Sequence, residues 1–315
     1  MAQQPFGGDW TTDKLDRLKR YLVEYIKILA KRPDLNTWYV DGFAGSGYIP
    51  AKAAQRADPA NQTVLEIEDA EEHIADQQVA NFINGSPRVA LAVEPPFNRY
   101  LFIERDRKKA EELTALRYEY PALADRIHIE VQDANEFLIE WCRKTFTGKT
   151  RAVVFLDPFG MQVEWRLIEA IAKTEAIDLW LLVPLGIGVN RLMTRHLPPP
   201  AWVQRLSNFF GDDEWQSRFY RPPLQPDLFG DAGGEEKRVN WDELTAYFQE
   251  RLKRIFKGGV ADHPLTQRNS RNSPLFLLCF AAGNPKAPTA VKIANYLLST
   301  TSFRDRKERL HANGD

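Results

Sequence analysis

Four short stretches of this chain combine acids and glycines at spacings that suit chemistry. In Asp41-Gly42-Phe43-Ala44-Gly45-Ser46-Gly47 three glycines follow an aspartate within six residues. A glycine lacks the Cβ that would hold backbone away from a ligand, and it tolerates the positive φ of a tight turn. Phe43 and Ala44 can keep such a turn packed on a sheet. The spacing is GxxGxG, so the dinucleotide fingerprint GxGxxG is absent, as is the lysine of a phosphate-binding loop. A strand-to-helix turn with no ligand is the plain alternative. Glu104 ends the run YLFIERD, where a carboxylate can accept both hydroxyls of a ribose, while the nearby Asp106 suits a helix N-cap. Asp133, in Gln132-Asp133-Ala134-Asn135, could bond an exocyclic amine with the Ala134 amide facing the ring, or could cap the next helix. Phe155-Leu156-Asp157-Pro158-Phe159-Gly160 sets a carboxylate beside an aromatic ring. Asp157 could accept an N–H bond and make the lone pair of an amine nucleophile available, or could serve only the turn. Pro158 would fix that turn, and the Phe159 face could stack on a planar substrate.

Elements must hold these residues. Leu15, Leu18, Leu22, Tyr25, Ile26 and Leu29 recur at helical spacing, so residues 11–32 are predicted helical with Thr12 as a cap. The run 36–41 (NTWYVD) has strand composition and leads straight into the glycine loop. Residues 48–83 mix prolines with polar and acidic runs and are predicted to be an insertion, after which Asn84-Gly85-Ser86-Pro87 starts a helix. From residue 98 strands and helices alternate. Strands are expected at 100–104, 127–132, 152–157 and 177–184, and helices at 106–118, 134–145 and 164–174. Such alternation predicts a parallel sheet covered on both faces. Each glycine-bearing or acidic motif then falls at a strand's carboxyl end, the edge where open α/β sheets take ligands. Later come helices at 201–210 and 241–256, an apolar strand at 273–282 and a helix at 288–299.

Composition narrows the class. With 315 residues, 43% hydrophobic and 27% charged, the chain has the make-up of an ordinary globular protein. A net charge of -1 supplies no global attraction to nucleic acid, so any such substrate needs a local basic patch. The stretch Arg251-Leu252-Lys253-Arg254-Ile255-Phe256-Lys257 is one candidate, with a solvated helix face as its simpler explanation. Cys142 and Cys279 are far apart and lack zinc spacing, and the five histidines show no paired spacing, so no metal is expected. Met1 to Trp10 carry no secretory pattern and no apolar run is long enough to span a bilayer, so the expectation is a soluble, cytoplasmic protein without membrane contact.

The glycine loop resembles the D-x-F-A-G-[ST]-G loop of many nucleic-acid methyltransferases. The Asp157 motif is similar to the D-P-P-[YFW] motif of amino-methyltransferases, with one proline where two are expected. Together with Thr37–Gly47, Asn84–Pro87, Asp157–Trp165, Ala176–Arg191 and Cys279–Pro285, these motifs resemble the three-Cys-motif partner protein family. The resemblance covers nearly the whole chain and is strongest from Tyr100 to Arg191. It implies a Rossmann-like methyltransferase fold of the α/β class, mostly parallel with helices on both faces, plus a late helical insertion. On that basis 1–186 and 258–302 form the core, 187–257 a Pro/Trp-rich insertion and 303–315 a charged tail. The implied cofactor is S-adenosylmethionine, gripped by Asp41 to Gly47, Glu104, Asp133 and Ala134. The implied partner is a separate protein bearing three cysteines. Asn190 and Arg191, just after the fifth strand, are candidates for holding a substrate phosphate or carboxylate. Two functions follow: methyl transfer to an amine, with nucleic acid favoured, or a weakly active or inactive methyltransferase-like subunit that binds the three-cysteine partner.

Overall fold

Helical periodicity sets the first element, but charged side chains occupy part of its buried stripe. In the computed structural model, which describes residues 8–47, 85–146, 148–158, 160–221, 236–269 and 272–300, helix α1 runs over Gly8–Leu29. It starts before the expected Thr12 cap, which lies inside it. Leu18, Tyr21, Leu22 and Ile26 are buried, while Leu15 and Leu29 are only half-buried. Asp13, Lys14 and Arg17 fill the inward positions of the first turns instead. The segment 48–83, the tail 303–315 and Phe159 lie outside the described residues.

Two units divide the chain. The first comprises Met1–Ala134, Phe146–Phe159 and Lys292–Asp315. Its strands are β1 (Asn36–Asp41), β2 (Arg99–Ile103), β3 (Ile127–Glu130) and β4 (Thr150–Leu156), ordered β3-β2-β1-β4 and all parallel. Helix α2 (Ser86–Leu91) begins where Ser86-Pro87 predicts, with the proline in its first turn. The expected helix over 106–118 is broken into α3 (Arg107–Leu113) and α4 (Leu116–Glu119). Asp106 is the N-cap of α3, accepting bonds from the amides of Lys108 and Lys109. An aromatic layer covers one face of the sheet: Tyr25 stacks on Phe97, which also meets Tyr39 and Tyr100. Burying each such ring contributes about 1.5–3 kcal/mol.

This order has a consequence for function. Chain leaving β1 goes to β2 and β3 on one side, and β4 is added on the other. The carboxyl ends of β1 and β4 therefore flank the switch point, where α/β sheets open a crevice. Asp41 stands opposite Phe155 in this pair, which puts Asp157 just past the matching end of β4.

The second unit comprises Asn135–Thr145 and Gly160–Val291. It contains most of α5 (Ala134–Thr145), together with α6 (Trp165–Lys173) and β5 (Ile177–Val183). The apolar run near the end is β10 (Pro274–Ala282), antiparallel to β5. Two short strands, β8 (Gly259–Val260) and β9 (Leu265–Arg268), also pair antiparallel with β10. Neither has a readable pattern, because hydrogen bonds to β10 and not side-chain alternation hold them. Between β5 and β8 lie a π-turn at Leu185–Val189 and helices α7 (Pro200–Phe210), α8 (Glu214–Phe219) and α9 (Trp241–Ile255), with a small ribbon of β6 (Tyr220–Arg221) and β7 (Glu236–Lys237). Asn240 and Glu243 form a capping box at the start of α9. The basic stretch 251–257, which runs from the last turn of α9 to just past its end, is paired with acids. Arg251 lies over the Trp165 ring and pairs with Asp212, Lys253 with Asp262, Arg254 with Glu250, and Lys257 with Glu175.

Candidate functional site

Backbone geometry makes the glycine loop a tight turn that only glycine fits well. Gly45 and Gly47 have φ of 60° and 69°, in the left-handed region that side chains disfavour. A Cβ at Gly47 would lie 3.0 Å from Leu113 and 3.2 Å from Arg88. The loop is anchored to the sheet through Gly42 N–H to the Phe155 carbonyl and Ala44 N–H to the Ile103 carbonyl. Ala44, Gly45 and Ser46 are buried and Phe43 is half-buried.

Asp41 does not face outward. It is 0% exposed, accepts 2.6 Å and 3.5 Å bonds from the Ser86 and Tyr39 hydroxyls, and accepts the Phe43 amide at 3.3 Å. Its carboxylate therefore shapes the loop from beneath and ties it to α2. Asp157 differs. It is also 0% exposed, yet among the described residues neither of its oxygens has a hydrogen-bond donor. Buried carboxylates are nearly always bonded, and an unbonded one at a switch point calls for a functional explanation. Pro158 is buried beside it.

Sequence reasoning missed a third charge. Lys14 of α1 is 2% exposed, and its charge acts on Asp157. Its place was readable in principle, since Lys14, Leu18, Tyr21 and Tyr25 share one helical face; a lysine there is ordinarily read as solvated. Burial pulls its pKa down to about 8, against the opposing charge of Asp157. Burial pushes the Asp157 carboxyl up to about 7, with Lys14 pulling the other way. It pushes Asp41 up to about 7 as well, opposed by the bonds from Ser86 and Phe43. Tyr39, buried beside these acids, is driven well above its ordinary value, by burial first and then by Asp41.

These shifts set a pH signature. The two carboxyls bind protons more tightly folded than unfolded, so the stability they lend is complete below pH 3.8 and lost as pH rises to about 7. The loss is on the order of 4 kcal/mol for each carboxyl. Lys14 acts in a separate window: between about 8 and 10.5 the unfolded chain holds the extra proton, so stability recovers as pH rises. In urea unfolding at pH 5 and pH 7.5, wild type should lose several kcal/mol more than an Asp41→Asn, Asp157→Asn double variant. Equal losses would remove these carboxyls from the account.

Glu104 lies half-buried just past β2, where its amide donates to the Glu130 carbonyl and one carboxylate oxygen accepts the Asp106 amide at 2.7 Å. Asp133 is half-buried beyond β3 and Ala134 is buried at the start of α5. Both acids thus end neighbouring strands, on the same edge as the glycine loop. In the second unit, Asn135 bonds the Gln162 carbonyl and the Glu164 amide at 2.9 Å each, fastening the turn before α6. Asn190 is held by the Lys237 ammonium at 2.6 Å, a bond that anchors the turn after β5, while Arg191 is exposed. Cys142 and Cys279 are buried thiols whose pKa values burial raises, the first to about 12.

No protein-family model and no curated protein matches the chain. Solved structures to which the chain shows some similarity include a Legionella pneumophila protein of the family DUF519. It has 15% identity and a TM-score of 0.48, with 94% of this chain and 93% of that one covered. A protein provisionally described as exported, from Bordetella parapertussis, has 11% identity and a TM-score of 0.33, covering 86% and 67%. A provisionally named methyltransferase in complex with SAH has 11% identity and a TM-score of 0.29, covering 84% and 52%. Among the described residues no helix is long and apolar enough to cross a membrane.

Proposed function

We propose that this chain is an S-adenosylmethionine-dependent methyltransferase that acts on an amine, with nucleic acid as the favoured acceptor and a three-cysteine protein as its partner. The observation that carries the reading is Asp157: a fully buried carboxylate, unbonded among the described residues, at the switch point beside a loop with two left-handed glycines. The residues present suit the cofactor. Gly42 to Gly47 offer a side-chain-poor turn for the amino-acid end, Glu104 a half-exposed carboxylate for the ribose, and Asp133 with the Ala134 amide a rim for the adenine. Asp41 supports that loop from below. When bound, the cofactor supplies a methyl group on a sulfonium, already poised to leave.

The chain's own work is then alignment and charge. An unpartnered carboxylate accepts N–H bonds from an incoming amine and orients the nitrogen lone pair toward the methyl group. Burial of Asp157 and Pro158 keeps competing water from that oxygen pair. Phe159 is retained as the stacking residue of this reading. In the second unit the Asn190–Lys237 contact gives Asn190 a structural task.

Isothermal titration with S-adenosylmethionine and S-adenosylhomocysteine is the direct test, and micromolar binding of both is expected. A folded protein that binds neither sinks the reading. Binding without transfer to nucleic acid or protein, with or without the partner, favours the inactive subunit instead.

A further inference from the structure

α1 has two usable faces. Leu18, Tyr21, Leu22 and Ile26 form the buried one, and Asp16, Arg20 and Val23 recur at helical spacing on the opposite side. Beside that outer stripe lies the last helix, α10 (Pro288–Ser299), fastened to α1 by Arg17, which donates to the carbonyls of Leu297 and Thr300. Between the two helices is an open groove of about 680 Å³, lined on its apolar part by Val23, Ile293, Tyr296 and Leu297. All of its lining belongs to the first unit. We infer that this groove docks an acidic amphipathic helix of a protein partner, with Lys19 and Lys292 as the charges that select it. The inference needs no assumption about the reaction.

Apolar residues scattered singly over a surface are ordinary, whereas a cluster in a concave site marks binding. Tyr296 is 63% exposed although it stands in the groove beside Ile293 and Val23, so a large ring is left for a partner to cover. The charges decide which partner. Arg20 is paired with Asp16 at 2.8 Å and Glu24 with Lys27 at 3.0 Å. Lys19 and Lys292 are exposed and, among the described residues, have no acid or hydrogen-bond acceptor of their own. Once the pairs cancel, two ammonium groups remain beside an apolar floor. A helix with one apolar stripe and carboxylates along its flanks satisfies both at once.

Other occupants fit less well. A second copy of the chain, set across a two-fold axis, would bring the same lysines against each other. The chain's own segment 304–309 (RDRKER) carries four bases and two acids, the wrong sign for this groove. A nucleic-acid backbone has no use for the apolar floor and would meet the carboxylates of Asp16 and Glu24.

The test uses the full chain and a fluorescein-labelled synthetic helix of about 18 residues, with leucines at i, i+3, i+4 and i+7 spacing and glutamates elsewhere. Fluorescence anisotropy should show micromolar binding, with backbone-amide NMR shifts centred on residues 16–24 and 292–297. A matched peptide with lysines in place of the glutamates should bind at least about tenfold more weakly. The double variant Lys19→Glu, Lys292→Glu should lose about tenfold for the acidic peptide and gain affinity for the basic one. Tyr296→Ala, a surface change, should weaken the acidic peptide by about tenfold as well. The inference is overturned by an acidic peptide that does not bind, or that binds the double variant equally well. Tighter binding of the basic peptide to wild type also overturns it, pointing to a basic segment such as 304–309. So does a dimer in sedimentation that Tyr296→Ala dissolves, which makes a second copy the occupant, or an oligothymidine that shifts the same amides in preference to the peptide.

Discussion

Asp157→Asn is expected to slow methyl transfer by ~10²–10⁴-fold while changing S-adenosylhomocysteine affinity by less than about threefold. The amide fills the same space, so the fold around β4 and the glycine loop has little reason to move. What changes is polarity: one acceptor oxygen becomes a donor NH₂ that opposes the amine's own hydrogens. An interaction made only while the nitrogen is being oriented appears in the rate and not in ground-state binding of the cofactor. The dissociation constant and single-turnover rate, measured on the same preparation, separate the two. If affinity collapses along with the rate, Asp157 holds the loop and not the nucleophile. Asp41→Asn should behave in the opposite manner. Its carboxylate is bonded by Ser86, Tyr39 and the Phe43 amide, so its loss falls on the loop and on cofactor affinity.

The second large effect belongs to Gly47. Its φ of 69° disfavours any side chain, by ~1–2 kcal/mol from backbone geometry alone. A Cβ would also press on Leu113 at 3.0 Å and on Arg88 at 3.2 Å. Arg88 is committed to Glu119 at 2.8 Å and has little freedom to retreat. Gly47→Val should therefore displace the loop and weaken binding of S-adenosylmethionine by roughly tenfold or more, as 1.4 kcal/mol corresponds to a factor of ten. Gly148→Ala is the control. Its φ of 93° imposes comparable strain, but nothing lies within 4 Å of an added Cβ. That variant should lose thermal stability and keep its cofactor affinity. Equal loss of affinity in both would mean general destabilisation and leave the loop without a special role.

Local information fixed much of this protein in advance. β1 over Asn36–Asp41, α5 over Ala134–Thr145 and α10 over Pro288–Ser299 have the ends that composition and periodicity predict. Apolar period and capping residues act within a turn or two of chain, so sequence carries them directly. The same holds for the placing of glycine and acid at strand ends, because alternating strands and helices leave few other places for them. Four things were decided only by the tertiary structure. β10 runs antiparallel to β5, a direction no apolar run encodes. Asp41 turns inward because Ser86, 45 residues away, meets it. Lys14 is buried rather than solvated, although a charged residue in a helix's first turns is ordinarily read as facing water. Asp157 is buried with no donor to either oxygen among the described residues. The proton affinity and reach of a charged group depend on what surrounds it in space, and for these residues the surroundings come from distant parts of the chain.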